Sequence, residues 1–443
     1  MVGACRPAGI IKQMKKCLVI PGPFVPYNDT ITQLVYKQLR LLDFDYDVCA
    51  LGNPEDPGLK ALLNKDPAFA RFHIQTVDDY NNILFSIKNV DLFKGLRHMK
   101  RYVTKATDMY NNQPVVYTNS WPCYTVRPAL AIKKEHPEVL WIASFSDPIN
   151  HSPYKFDTET YKAYSLPEKI AFNLYCKYYV VDQDEANAFT HADILVFICQ
   201  EQRDFMIQQY VTYFHTVPEE EIRRKCVVVP LNYVPEWNQL SVNETETKKI
   251  PEDTGTPSHP YVLAHFGRVY GLRLIAEFIH AVRLFHDAHP EFSFRIDQYG
   301  EFRKNDRNLI VSLGLTDLFR IHEKVPYDEC IERMKEADGC LLFDTILPED
   351  QIQPYLPSKI LEYSLLKKQV LAVSTITSPA YRICKESDAI ACTYDRYDIQ
   401  KGLEELLIQK KPSVVNYAET NAEAVRPLRL KIDSFQNKDV LGS

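Results

Sequence analysis

Twice along this chain, short β-rich apolar runs alternate with amphipathic helical stretches, and one polar, proline-rich segment separates the two series. In the first series CLVIP (17–21), YDVCAL (46–51), PVVYTNS (114–120), VLWIASFSD (139–147), ADILVFIC (192–199) and CVVVPLN (226–232) read as strands. ITQLVYKQLRLL (31–42), VRPALAIKKE and EQRDFMIQQY carry apolar residues at helical spacing between them. The second series holds YVLAHFG (261–267), FSFRIDQYG (292–300), LFRIHEKV (318–325), GCLLFD (339–344), QVLAVST (369–375) and AIACTY (389–394), with helices such as RLIAEFIHAVRLFHDA in the gaps. Continuous apolar strands are buried on both faces, and helices between them act as crossovers. The pattern therefore predicts an α/β protein of two doubly wound, Rossmann-like domains, 1–232 and 261–411, joined by a linker at 233–260. Parallel sheets of this kind bind ligands at the carboxyl ends of their strands, so the cleft between the domains is the expected site.

The 443 residues are 45% hydrophobic and 25% charged, which excludes collagen-like, mucin-like and wholly disordered chains. A net charge of −6 argues against a generally basic nucleic-acid binder. No apolar run approaches the ~20 residues of a membrane span. The opening stretch MVGACRPAGIIKQMKKCLVI has lysines inside its apolar run and reads poorly as a signal peptide. The 11 cysteines are scattered without a C-x-x-C, several of them inside apolar runs, as expected of reduced core thiols in a cytoplasmic protein.

Three constellations carry chemistry. Strand YVLAHFG ends at Gly267, followed by Arg268, Gly271 and Arg273 just before a long helix. A glycine there admits close backbone approach, and two guanidiniums five residues apart at one turn suit a diphosphate. The bland reading is an ordinary strand–turn–helix with solvated arginines. Next, Pro357-Ser358-Lys359-Ile360-Leu361-Glu362-Tyr363 opens a helix between two strands. Hydroxyl and ammonium at a helix start suit phosphate, and a carboxylate one turn deeper, at Glu362, suits a ribose diol. The alternative is a capped surface helix with a Lys–Glu pair. Finally, Asp147 follows a strand end, with Pro148 next and His151 four residues on. These either form a turn or orient a substrate hydroxyl. His191 and Asp193, beside ADILVFIC, read as caps of a helix or strand end.

Taken in order, these residues resemble the retaining nucleotide-sugar glycosyltransferases of the GT-B fold, family-4 type. FGRVYGLRLIAEFIHA is similar to that family's pyrophosphate turn, with Arg273 where lysine is more usual. LPSKILEYSLLKKQVLAVS is similar to the P-S-K-x-x-E-Y form of many bacterial members. FRIDQYGEF, DLFRIHEKVPYDECIERMKEAD, PVVYTNSWP with LWIASFSDP, and HADILVFICQEQRDFM resemble its other strand ends. The resemblance implies transfer of a sugar from a nucleoside diphosphate donor to a hydroxyl on a glycan or lipid-linked acceptor, with retention at the anomeric carbon. It implies that Gly267, Arg268, Arg273, Ser358 and Lys359 hold the diphosphate, that Glu362 holds the ribose, and that Asp147 and His151 act on the acceptor side. It also implies a tail at 412–443 that packs back on the N-terminal domain. No cofactor beyond the donor is expected. Cations and N–H groups do the work of a metal, and no D-x-D pair stands where a metal would bridge the diphosphate.

The chain departs from that pattern in places. The first acid of the family's E-x7-E would fall at Pro354, and Glu349 or Asp350 from the loop ILPEDQIQPY is the substitute. Ser146 stands where a histidine often precedes the aspartate, and the loop PGPFVPYNDT holds Gly22 alone in place of a glycine pair. Other readings are an epimerase or phosphorylase of the same architecture, or a non-catalytic subunit supporting an active partner. Residues 92–105, LFKGLRHMKRYVTK, form an amphipathic helix: Leu92, Leu96, Met99 and Val103 on one side, Lys94, Arg97, Arg101 and Lys105 on the other. Such a helix either packs on a core or lies on the cytoplasmic, inner face of an anionic membrane.

Overall fold

The computed structural model describes residues 15–52, 54–79, 92–153, 165–178, 181–238 and 251–441. The expectations for the N-terminal stretch 1–14 and for linker residues 239–250 lie outside the described residues. Two parallel sheets form the frame. The first contains β1 (Lys15–Pro23), β2 (Phe44–Gly52), β3 (Phe72–Asp79), β4 (Val115–Asn119), β5 (Leu140–Ser144), β6 (Ile194–Phe197) and β7 (Cys226–Val228), in the order β3-β2-β1-β4-β5-β6-β7. The second contains β8 (Tyr261–Phe266), β9 (Phe294–Tyr299), β10 (Phe319–His322), β11 (Gly339–Phe343), β12 (Gln369–Val373) and β13 (Ile390–Cys392), in the order β10-β9-β8-β11-β12-β13. Each sheet reverses direction beside its first strand, at β1/β4 and at β8/β11. Those are the switch points where crevices open in this architecture.

Both sheets are buried on both faces. In β1, Leu18 and Ile20 join one core cluster while Cys17 and Val19 join another. In β8, Tyr261 and Leu263 face one cluster while Ala264 and Phe266 face the other. Every expected strand is present, with ends shifted by a few residues. The sequence reading lacked β3, an edge strand whose residues are mostly part-exposed.

The first helix, α1 (Thr30–Leu39), joins the domains. Asp29 caps it, accepting from the Ile31 N–H at 2.8 Å. Leu34 leaves the N-terminal core and joins the C-terminal one together with Ile198 and Cys199. Further bridges run between the Ser152 and Tyr355 hydroxyls at 2.7 Å and from the Leu231 N–H to the Tyr417 hydroxyl at 2.9 Å. Glu201 pairs with Arg382 across the same boundary. The last helix, Asn421–Leu441, lies on the N-terminal domain: Val425, Leu428 and Ile432 belong to the cluster beneath β1.

The helix expected at 92–105 runs from Leu92 to Asp108. Its apolar stripe is core: Met99, Tyr102 and Ala106 are buried, with Leu96 and Val103 packed against them. Lys94, Arg97, Arg101 and Lys105 are exposed. The stripe that a bilayer would need is thus used within the domain.

Asp66 anchors α1. Its buried carboxylate accepts from the Tyr36 hydroxyl at 2.6 Å, the Ala68 N–H at 3.0 Å and the Arg40 guanidinium. Burial raises its pKa, but the bonds from Arg40, Tyr36 and Ala68 outweigh burial and leave it lowered. A lowered folded pKa means stability present above the unfolded value of ~3.9 and lost as pH falls through the folded one. Asp66→Ala leaves the Arg40 guanidinium with Glu236 alone, at 3.2 Å, and the Tyr36 hydroxyl without its acceptor, and should lower unfolding stability by ~1–3 kcal/mol in denaturant titrations at neutral pH. The difference from wild type should shrink in acid; a constant difference would show that the pair is not its source.

Candidate functional site

The turn after β8 is strapped to β9. The Gly267 N–H donates to the Tyr299 carbonyl at 3.0 Å, and the Gln298 side-chain amide donates to the Gly267 carbonyl at 2.8 Å. Gly300 follows β9 at φ +117°, and a Cβ there would lie 2.9 Å from the Gly267 carbonyl oxygen. Only a glycine combines that backbone with that approach. The Arg268 side chain therefore leaves a fixed turn at the switch point.

The three cations singled out in the sequence come together here. The Arg268 guanidinium sits 4.9 Å from the Tyr270 ring centroid and that of Arg273 5.8 Å from it. Arg273 Nη1 donates to the Arg268 carbonyl at 3.0 Å. Lys359 Nζ lies 5.5 Å from the Tyr327 ring centroid. None of the three forms an ion pair among the described residues.

His265, near the end of β8, senses two of these charges. Burial lowers its pKa first, then Arg273 and Lys359 lower it further, against the bond to Gln298, to about 3. The imidazole is neutral, with Nδ1 placed 2.7 Å from the Gln298 side-chain oxygen. Asp344, just beyond β11, is the nearby negative charge. Burial raises its pKa to about 6, while Ser374, Ser378, the Thr345 N–H and Arg273 pull it down. Gln353 donates to Asp344 at 2.6 Å, which ties down the loop leading to the Pro357-Ser358-Lys359 turn.

The helix Lys359–Leu365 differs from a capped surface helix. Ser358 takes the cap position but makes no capping hydrogen bond with its hydroxyl, and the helix is buried from Ile360 to Leu365. Lys359 does not pair with Glu362. Glu362 Oε1 accepts from the Tyr327 hydroxyl at 3.3 Å, whereas Oε2 is buried with no hydrogen-bond partner.

Asp147 is exposed in the turn after β5, within reach of Asp29. Desolvation by the protein packed around it, then the Asp29 carboxylate at the start of α1, raises its pKa to about 7. Among the described residues no hydrogen bond joins His151 to it. His151 has φ +50°, and its ring stacks on Tyr213 at 3.6 Å between centroids. Glu349 and Asp350 are exposed on the loop after β11, and neither forms an ion pair among the described residues. Asp193 does end a strand, accepting from the Trp141 N–H and Lys133, both at 2.8 Å.

Sequence reasoning missed His265, Asp344, Tyr327, Asp29 and Lys37 of α1. Asp29 carried a signal, an aspartate just before a helical run. The others gain their places only through the fold.

A raised folded pKa for Asp147 means the charged form is disfavoured in the folded protein, a loss of stability above the unfolded value that is complete above about pH 7. Asp147→Asn should raise the melting temperature only slightly, because solvent screens an exposed carboxylate, and most above that pH, with a gain that fades in acid. A pH-independent gain in calorimetric scans would place the effect elsewhere.

No protein-family model matches the chain. No curated protein matches it either. Solved structures do. The chain is similar to sucrose-phosphate synthase from Thermosynechococcus elongatus, with a TM-score of 0.56 and 10% identity over 97% of this chain and 100% of that one. It is similar to the lipopolysaccharide outer core galactosyltransferase WaaB, with a TM-score of 0.55 and 10% identity over 95% and 99% of the two chains. Anabaena HepE in complex with UDP-glucose gives a TM-score of 0.55 and 12% identity over 96% and 99%. The shared feature is the fold, two Rossmann-like domains in the GT-B arrangement.

Proposed function

We propose that the protein is a glycosyltransferase that moves a sugar from a nucleoside diphosphate donor to a hydroxyl acceptor with retention of anomeric configuration. The observation that carries this reading is the convergence of Arg268, Arg273 and Lys359 at the β8/β11 switch point, none of them in an ion pair among the described residues. Unneutralised cations around a fixed backbone turn suit a ligand with several negative charges.

In this mechanism the diphosphate lies over the Gly267 turn. Arg268, Arg273 and Lys359, with the Ser358 hydroxyl, stabilise the charge that builds on it as the glycosidic bond breaks. Glu362 accepts from the ribose diol. Asp147, with a pKa of about 7, is balanced between holding and accepting the acceptor's proton near neutral pH. His151 and the Glu349 loop complete the acceptor and sugar side. The donor is the only small molecule the reaction needs, and no metal takes part. The acceptor is a glycan or lipid-linked hydroxyl met in the cytoplasm. Any contact of the exposed basic face of 92–105 with the inner membrane face is electrostatic.

The exposed position of Glu349 and the proline at 354 favour a second reading, a non-catalytic subunit that binds nucleotide sugar and supports a partner. Calorimetric titration with UDP, GDP and their glucose conjugates, followed by assay for released nucleoside diphosphate, separates the two. Binding with donor turnover supports the transferase, binding without turnover supports the subunit, and no binding of any nucleotide rejects both. HepE is in complex with UDP-glucose, so UDP is the first choice. Arg268→Ala and Lys359→Ala should each weaken nucleotide binding by ~10–150-fold, the value of one charge-assisted bond. The melting temperature should hardly move. Unchanged affinity in both variants would remove the clamp.

A further inference from the structure

Glu362 has a second neighbour, and it comes from the other domain. A chamber of about 10 Å³ is walled by Lys37 of α1, by Tyr233, Val234 and Trp237 of the segment after β7, and by Tyr327 and Glu362. It has room for a single water. The partnerless Oε2 of Glu362 belongs to a residue lining this chamber. Lys37 Nζ lies 5.5 Å from the Trp237 ring centroid and, among the described residues, is in no ion pair. Burial lowers the Lys37 pKa most, Glu362 opposes that shift, and Lys359 adds to it, so all three charges share one field.

A buried carboxylate needs a counter-charge. Lys359 is the nearest candidate in sequence, three residues away on one helix face, where Lys–Glu pairs ordinarily form. Yet Lys359 faces the Tyr327 ring instead. We propose that Lys37, reaching across the domain boundary, is the counter-ion of Glu362 and thereby leaves Lys359 free for the donor's diphosphate. Lys37 is then a positioning residue that touches no substrate. It acts through Glu362 on Lys359, with one water bridging ammonium to carboxylate. The inference rests on the diphosphate role of Lys359 but not on the ribose role of Glu362.

Lys37→Met keeps the length of the side chain and removes the charge. Glu362 should then capture Lys359, and affinity for UDP and for inorganic pyrophosphate should both fall, by ~5–30-fold. Lys37→Arg should bind both as wild type does. The double variant Lys37→Met with Glu362→Gln removes the captor and should regain pyrophosphate affinity, which a merely structural loss at Lys37 would not permit. Equal pyrophosphate affinity in wild type and Lys37→Met, or no recovery in the double variant, overturns the proposal. If wild type binds neither probe, the diphosphate reading fails, and the pairing is decided by thermal unfolding of the same four proteins with Glu362→Gln added. Non-additive losses support the Lys37–Glu362 pair and additive losses overturn it.

Discussion

Positive charges held together at one strand end, with Asp344 near Arg273 but no ion pair to any of them among the described residues, repel each other, and the surrounding structure has to bear that repulsion. Here it is borne by backbone. The turn after β8 is tied to β9 through the Gly267 N–H and carbonyl, and Gly300 lets the two turns approach. Tyr270 and Tyr327 offer ring faces to the guanidiniums and the ammonium. Buried His265 is kept neutral, so it adds no further charge. An arrangement of this kind carries an outward positive field at the switch point.

The fold was legible because its strands are buried on both faces. Such strands write themselves as unbroken apolar runs, and the turns and helices between them kept the runs distinct; β3 escaped because an edge strand need not be apolar. The turn after β8 was legible for a related reason. A strand end, a glycine and two arginines are neighbours in sequence, so local chemistry and position coincide. Asp147 and His151 were linked by spacing alone. The left-handed backbone at His151 turns its ring onto Tyr213 instead. Lys37 carries no local signal within ITQLVYKQLRLL: folding of the N-terminal domain sets it beside Trp237, and only the apposition of two domains gives it Glu362 as a neighbour.

Asp344 shows how the second switch-point loop is governed. Its carboxylate holds Gln353 and is held by Ser374, while Arg273 stands near enough to stabilise its charge. Loop conformation and cation field are therefore coupled. Whatever neutralises Arg273 also removes part of the support for ionised Asp344, and so bears on the segment that carries Ser358 and Lys359.

The chain passes between the domains twice, once after β7 toward β8 and again from the C-terminal domain to the helix Asn421–Leu441 on the N-terminal one. Two tethers leave a pair of rigid bodies little freedom except rotation about the line through them. Displacement then grows with distance from that axis. Of the residues walling the Lys37 chamber, Tyr233, Val234 and Trp237 belong to the first tether, while Lys37 comes from α1 and Tyr327 and Glu362 from the C-terminal domain. The Ser152–Tyr355 bridge carries no tether residue. A rotation that separates the domains therefore pulls on the chamber and on the bridge alike, since each has groups on both sides of the boundary.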